Sequence, residues 1–481
     1  VDTVTDFAGR YVKDYKDEGE NYKNVDVDIS IKLKQENKAF NVQKYEHNYP
    51  HCWRTDKPVL YYPLDSWFIK ASAARDRMKE LNDTINWKPA STGEGRFGKW
   101  LENLQDWNLS RSRYWGIPLP IWRTKDGLQE KCIDSVATLQ SEITKANKAL
   151  GLDQKVPEDL HRPFIDAIVL VADDGTVMER ELDLIDVWFD SGSMPYAQWH
   201  YPFENKGNID TGRTYPADFI SEGVDQTRGW FYTLHAIAAM VFDSVAFKNV
   251  VSTGLVLDKN GVKMSKRLGN VIDPFDTITK HGADATRWYM INNAPPWDNL
   301  KFDLEGIEET KRKFFGTLYN TYSFFALYAN LDKFKYEQES VALAERQEID
   351  RWIISLLNSL IKDVQSDYAE YEPTQATRRI QTFVTDHLSN WYVRLCRRRF
   401  WKGDYTKDKI AAYQTLYECL EVISQLMSPV APFFAEWLYN NLNSVTSRHQ
   451  QDSVHLTLYP HANEKAIDLA LEQRMDYAQR V

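Results

Sequence analysis

Two lysines three residues apart, Lys263 and Lys266, stand in the stretch GLVLDKNGVKMSKRLGNVIDP (254–274), after an apolar run and a Gly-containing turn. Parallel sheets present their ligands beyond the carboxyl ends of the strands. A strand ending near Leu257 would therefore deliver Lys263-Met264-Ser265-Lys266-Arg267 to that edge. Two ammonium groups on a loop suit a polyphosphate, whose charge redistributes as it reacts. One well-placed donor contributes about 3–4 kcal/mol to such a transition state. A solvated basic turn would contain the same residues.

Three further groups of side chains could do chemistry. Glu222-Gly223-Val224-Asp225-Gln226 ends another strand candidate and starts a helix. A carboxylate there can hold an amino group, while Gln226 and backbone N–H groups take polar atoms of a ligand. Asp225 would also serve as the helix N-cap; Glu222 has no such structural task. WNLSRSRYWG (107–116) contributes Arg111, Arg113 and Trp115, the last as a wall for an apolar side chain or as core packing. RLCRRRFWK (394–402) gathers five positive charges in nine residues. On a helix Arg394, Arg397 and Arg398 share one face, with Phe400 and Trp401 interleaved, as a phosphate-contacting patch would require. A salt-bridged or solvated face fits that spacing equally well.

The elements that position these groups follow from periodicity. TYPADFISEG (214–223) reads as a strand, 225–242 as one helix with Trp230, Phe231, Leu234, Ile237 and Val241 on its apolar face, and NVVSTGLVL (249–257) as a second strand. Strand, helix, strand is a βαβ crossover and predicts a parallel sheet. FIDAIVLVA (164–172) and Val59–Tyr62 read as further strands, and the alternation in VDVDISIKL (25–33) as a half-buried one. After Pro295-Pro296 strand signals cease and long amphipathic helices follow. This places a boundary near 300–310 and a helix bundle beyond it.

Composition narrows the class. The 481 residues, 43% hydrophobic and 13% aromatic, are globular. A formal charge of −10 argues against non-specific coating of nucleic acid but allows a local basic patch. The four cysteines are scattered without a C-x-x-C pair, as in a reducing cytoplasm, and offer no metal-site spacing. No apolar run reaches membrane-spanning length. The polar start VDTVTDFAGRYVKDYKDEGE, without Met, reads as the interior of a longer chain.

Jointly, LSRSRYWGIPLPIW (109–122), DVWFDSGSMPYA (186–197), PADFISEGVDQTRGWFYTL (216–234) and KMSKRLGNVIDP (263–274) resemble the class I aminoacyl-tRNA synthetases, and among them the isoleucyl branch. The resemblance implies an α/β fold, the second half of a Rossmann-like nucleotide-binding domain with a parallel sheet, followed by an all-α anticodon-binding helix bundle. It implies residues 1–50 as the tail of an editing domain, 51–270 as catalytic, 271–310 as a connecting, stem-contacting region and 311–481 as anticodon-binding. It implies isoleucine-tRNA ligase activity with ATP and Mg2+ as substrate, L-isoleucine and tRNA(Ile) as partners, no tightly bound metal, and a cytoplasmic, monomeric parent. Lys266, supported by Lys263, would act on the phosphates, with Met264, Ser265 and Gly254 also at ATP. Glu222, Gly223, Asp225 and Gln226 would line the isoleucyl-adenylate, Trp115 and Trp230 would wall the isoleucine side chain, and Arg394, Arg397 and Arg398 would touch tRNA.

The chain also departs from that family. It contains no His-x-Gly-His, since His47 and His51 enclose Asn-Tyr-Pro, so the first half of the nucleotide fold and the editing site are expected to be absent. Without them the piece is expected neither to edit nor to form adenylate at a normal rate. Cys52-Trp-Arg-Thr55 stands where many relatives have C-W-R-C, and Thr253-Gly254 where many have His-Gly. Other classes compatible with the residues are a tRNA-binding module without catalysis, a protein keeping only the fold, and the valyl relatives.

Overall fold

The computed structural model describes Phe7 and residues 25–52, 55–61 and 63–481. Two compact units, Val1–Trp67 and Phe68–Val481, divide the chain. Among the described residues no helix is long and apolar enough to cross a membrane.

In the first unit the expected strand at 25–33 is a helix, Val25–Gln35. Alternating Val and Ile fit a strand only if a partner strand exists, whereas a helix satisfies its own backbone. Asp26 and Asp28 in its first turn and Lys32 and Lys34 in its last suit the helix dipole. Residues 59–61 form no strand; Tyr62, the rest of that expectation, lies outside the described residues, as do Trp53 and Arg54 of the Cys52–Thr55 segment.

The second unit begins with small elements and reaches β1 (Asn86–Lys88). A four-stranded antiparallel sheet is inserted next, ordered Glu130–Cys132, Ile121–Thr124, Val177–Arg180, Leu170–Val171. With the helix Val136–Leu150 it closes a separate core around Trp122, Ile143 and Met178. The nine-residue strand expected at 164–172 shrinks to Leu170–Val171 after a 3-10 turn at Ile165–Ala167. Asp166 is the cause: it is drawn into ion pairs with Arg162 and the fully buried Arg180, which bends the chain.

Helix α1 (Val187–Ala197) then leads to β2 (Ala217–Gly223), helix α2 (Trp230–Ile237) and β3 (Phe247–Thr253). The sheet order is β2-β3-β1, and both pairings are parallel, as the crossover predicts. Register puts Ile220, Val250 and Trp87 on one face, within the core that includes Phe231, Leu234 and Phe247. Phe219, Ser221, Val251 and Lys88 lie on the other face.

The second expected strand breaks at Gly254 into β3 and β4 (Val256–Leu257), which pairs with β5 (Leu300–Lys301). The backbone of Trp297 and Asp298 crosses so close to Gly254 that a Cβ there would meet the Asp298 carbonyl oxygen at 2.4 Å. Downstream of Leu304 every regular element is helical. Helices α3 (Glu348–Ala369), α4 (Pro373–Thr382) and α5 (Arg394–Trp401) belong to one continuous core that also takes in Trp288, Leu300 and Phe302.

Candidate active site

Strands β2 and β3 are neighbours, so their carboxyl ends share one sheet edge, with Glu222 opposite Ser252 and Gly223 opposite Thr253. Glu222 is exposed and has no ionic or hydrogen-bond partner among the described residues. A 3-10 turn, Val224–Arg228, follows before α2. The turn corrects two expectations: 225–242 is not one helix, and Asp225 does not cap it. Chain direction changes at Gly229, and the Trp230 N–H donates to Gln226 Oε1 at 3.0 Å, so the amide of Gln226 does the capping. Asp225 instead accepts from Gln226 Nε2 at 3.2 Å. The turn is fastened from below by Arg96, whose Nε donates to the buried Thr227 hydroxyl at 2.9 Å. Beyond Ile237 the helix widens into a π turn, Ala238–Phe242. That widening rotates Val241 out of the apolar face, where it is 63% exposed.

Trp230 anchors its indole by donating from Nε1 to the Ser191 carbonyl at 2.9 Å. Trp115 stacks on His161, with centroids 4.4 Å apart, and is 70% exposed. The second tryptophan at the head of α2 is Trp188, whose ring lies over Gly229; a Cβ on that glycine would meet Cη2 at 3.1 Å. Trp188 sits inside the DVWFDSG stretch, but nothing in spacing alone ranks it above Trp115. Its position follows from Asp186, which caps α1 and accepts from Trp107 Nε1 at 3.1 Å and the Arg111 guanidinium at 2.8 Å. Arg111 thereby gains a structural task. Next along α1, Asp190 buries Oδ1 without a hydrogen-bond partner among the described residues. Burial, and the Asp186 charge after it, push its carboxyl above the usual range.

From β4 the chain enters the lysine loop through a bridge between Leu257 and Lys263. Asp258 accepts from the Val262 N–H at 2.8 Å and the Asn260 N–H at 3.0 Å. These bonds, led by the one from Asn270, lower its pKa. Ser265 caps a 3-10 turn, Lys266–Leu268, accepting from the Leu268 N–H. Met264 is half-buried against the core of the helical region. Lys263, Lys266 and Arg267 stay exposed and form no ion pair among the described residues, so their charge is available to a ligand. Gly254 provides the close crossing described above and donates its N–H to the Pro296 carbonyl at 2.9 Å.

The arginine-rich segment divides by burial. Arg399 is 11% exposed and binds Asp350, which is fully buried, and Asp408. Arg394, Arg397 and Arg398 are exposed and unpaired among the described residues. Phe400 is fully buried in the core and does not interleave with them; Trp401, 48% exposed, is the aromatic beside them.

Comparison with known proteins gives the family. Residues 10–303 match the family of tRNA synthetases class I (I, L, M and V), and residues 350–481 match the anticodon-binding domain of tRNA ligase. The isoleucine–tRNA ligase of Cytophaga hutchinsonii is 64% identical over 491 residues, which cover 99% of this chain and 44% of that protein. That of Porphyromonas gingivalis is 59% identical, covering 99% and 43%. The chain thus spans less than half the length of these curated relatives. Among solved structures, Mycobacterium tuberculosis methionyl-tRNA synthetase bound by methionyl-adenylate superposes with a TM-score of 0.58 at 17% identity, over 86% of this chain and 70% of that one. A ternary complex of Agrobacterium radiobacter K84 agnB2 LeuRS with tRNA and LeuAMS gives 0.55 at 20% identity, over 79% and 46%. At such identities these structures support the fold alone.

Proposed function

Since the chain belongs to the class I tRNA synthetases (I, L, M and V), we propose that it is part of an isoleucine–tRNA ligase, which activates L-isoleucine with ATP and passes it to tRNA(Ile). The observation that carries the reading is the shared edge of β2 and β3. It presents a carboxylate, Glu222, beside the strand that runs on to the cations Lys263 and Lys266, all three without an ionic partner among the described residues. The 64% identity to an isoleucine–tRNA ligase favours this substrate over valine.

In this reading Glu222 accepts the α-ammonium of isoleucine, and Asp225 and Gln226 hold polar atoms of the adenylate beyond the Gly223 turn. Trp230 and Trp115 wall the aliphatic side chain, and Trp188 joins them from its place over Gly229 at the head of α2. The isoleucine carboxylate attacks the α-phosphorus of ATP, the bond to the β-phosphate oxygen breaks, and pyrophosphate leaves. Lys266 and Lys263 stabilise the charge gathering on the departing phosphates, with Met264 and Ser265 fixing the loop between them. Among the described residues no cluster of His, Cys, Asp and Glu could hold a metal. Mg2+ enters with ATP, carried on its phosphates. The terminal ribose of tRNA then attacks the acyl carbon and AMP is released. Residues 1–50 are assigned to the editing-domain tail, 51–270 to the catalytic domain, 271–310 to the stem-contacting connector and 311–481 to anticodon binding. Arg394, Arg397 and Arg398 contact the tRNA backbone. A cytoplasmic monomer is the parent form.

Titrating the chain with isoleucyl- and valyl-sulfamoyl adenosine, followed by tryptophan fluorescence, tests the substrate. One methylene in a fitted apolar pocket is worth about 10- to 200-fold, isoleucine against valine being the familiar illustration. Preference for the isoleucyl compound in that range is expected; equal affinity for the two would overturn the assignment.

A further inference from the structure

On the face of the parallel sheet opposite its core stands the turn between α3 and α4. The ring of Tyr371 stacks on Phe219 of β2, with centroids 4.9 Å apart and planes 11° from parallel. Next to it the Glu372 carboxylate accepts from Lys88 Nζ of β1 at 3.1 Å, with both side chains largely covered. One two-residue turn therefore touches both outer strands of the sheet at once.

Several features single this contact out from ordinary packing. Tyr371 has φ 58°, in the left-handed region that a bulky residue enters only when its surroundings hold it there. Glu372 occupies the N-cap of α4, yet its side chain makes no capping bond and goes to Lys88 instead. Phe219 would otherwise leave an aromatic ring unsupported on a solvent-facing sheet surface. The turn itself is held firmly. Arg379 ties α4 to α3 through Asp363 and Asp367, and Thr374 Oγ1 donates to the Ile291 carbonyl at 2.7 Å. At the far end of α3, Asp350 binds Arg399 of α5. Its 22 residues make α3 a rod of about 33 Å from the arginine-bearing helix to the sheet.

Phe219 precedes Glu222 by three residues, about 10 Å along β2. A ring fixed on Phe219 therefore fixes where the strand end, and the Glu222 carboxylate with it, is aimed. We infer that Tyr371 and Glu372 are positioning residues for the site at the carboxyl end of β2, clamping β2 and β1 from the helical region. The inference rests on the reading of that edge as the adenylate site.

Hydrogen exchange and titration of the full chain with isoleucyl-sulfamoyl adenosine test it, using Tyr371→Gly, Tyr371→Phe and Glu372→Gln. Glycine removes the ring while accepting the backbone conformation, and phenylalanine keeps the stack. Tyr371→Gly and Glu372→Gln are expected to speed amide exchange at Ser221, Glu222 and Gly223, and to weaken the compound by roughly tenfold. Tyr371→Phe should match the parent chain in both readouts, and exchange within α3 should not change. Unaltered exchange at 221–223 in Tyr371→Gly would overturn the inference. So would a Tyr371→Phe variant as impaired as Tyr371→Gly, or acceleration spread evenly over the unit. Should the parent chain fail to bind the compound, the adenylate reading falls, while the exchange at 221–223 still decides whether the turn sets the strand end.

Discussion

Asn270 bridges the lysine loop to its own base: Nδ2 donates to Asp258 Oδ2 at 3.0 Å while Oδ1 accepts the Ser265 N–H at 2.9 Å. The same Nδ2 reaches the Lys263 carbonyl at 3.3 Å, so one amide holds both sides of the segment that bears the two lysines. Asn270→Ala should free the loop without unfolding the chain. Trypsin cleavage at Lys263, Lys266 and Arg267 is expected to become severalfold faster while the thermal midpoint stays the same. Unchanged cleavage would mean the clasp does not order the loop.

The arginines of α5 predict a separation of stability from binding. Arg399→Met removes one partner of a buried pair and leaves Asp350 uncompensated, at a cost of about 3–5 kcal/mol in urea unfolding. Arg397→Ala touches an exposed side chain, unpaired among the described residues, and should change stability by less than about 0.5 kcal/mol. If Arg397 meets a tRNA phosphate, its removal lowers the slope of log affinity against log salt by about 0.7–0.9. A slope equal to that of the parent chain would take Arg397 off the RNA.

Much of this site was legible because its signals are local. A buried run such as NVVST, a charged loop after it and FISEG before a helix each state their own geometry, and the parallel pairing of β2 with β3 follows from one crossover. The break at Gly254 has a non-local cause. Gly254 ends β3 because Trp297 and Asp298 cross it from more than 40 residues away, and no pattern within 249–257 records that. Trp188 goes unnoticed among the tryptophans of the aromatic-rich stretches, because the Asp186 network that seats its helix joins residues far apart in the chain. In Val25–Gln35 the misleading alternation was outweighed by the charges at the two helix ends, a signal present in the sequence.

His235 of α2 is fully buried against the segment at Met78, to whose carbonyl its Nε2 donates at 2.7 Å. Burial lowers its pKa to about 4, so the folded chain keeps it neutral. The unfolded chain protonates it near pH 6.5, so between those values the unfolded state binds more protons and stability falls as pH falls. From pH 7 to pH 5 this one group should cost about 2 kcal/mol. His235→Gln keeps a donor toward Met78 and removes the titration. Urea unfolding at the two pH values should show a smaller loss in the variant than in the parent chain. An identical loss would place the sensitivity elsewhere.

The Glu222 carboxylate takes the amino group of the substrate at the edge shared by β2 and β3 in the proposed reaction. The most direct test compares isoleucyl-sulfamoyl adenosine with its des-amino counterpart on the parent chain and on Glu222→Gln. A bond between an ammonium and a carboxylate, lost with its charge, is worth about 10- to 100-fold. The amine-bearing compound should weaken by that factor in Glu222→Gln, while the des-amino compound binds both proteins alike. Equal weakening of the two compounds, or none of either, would contradict it.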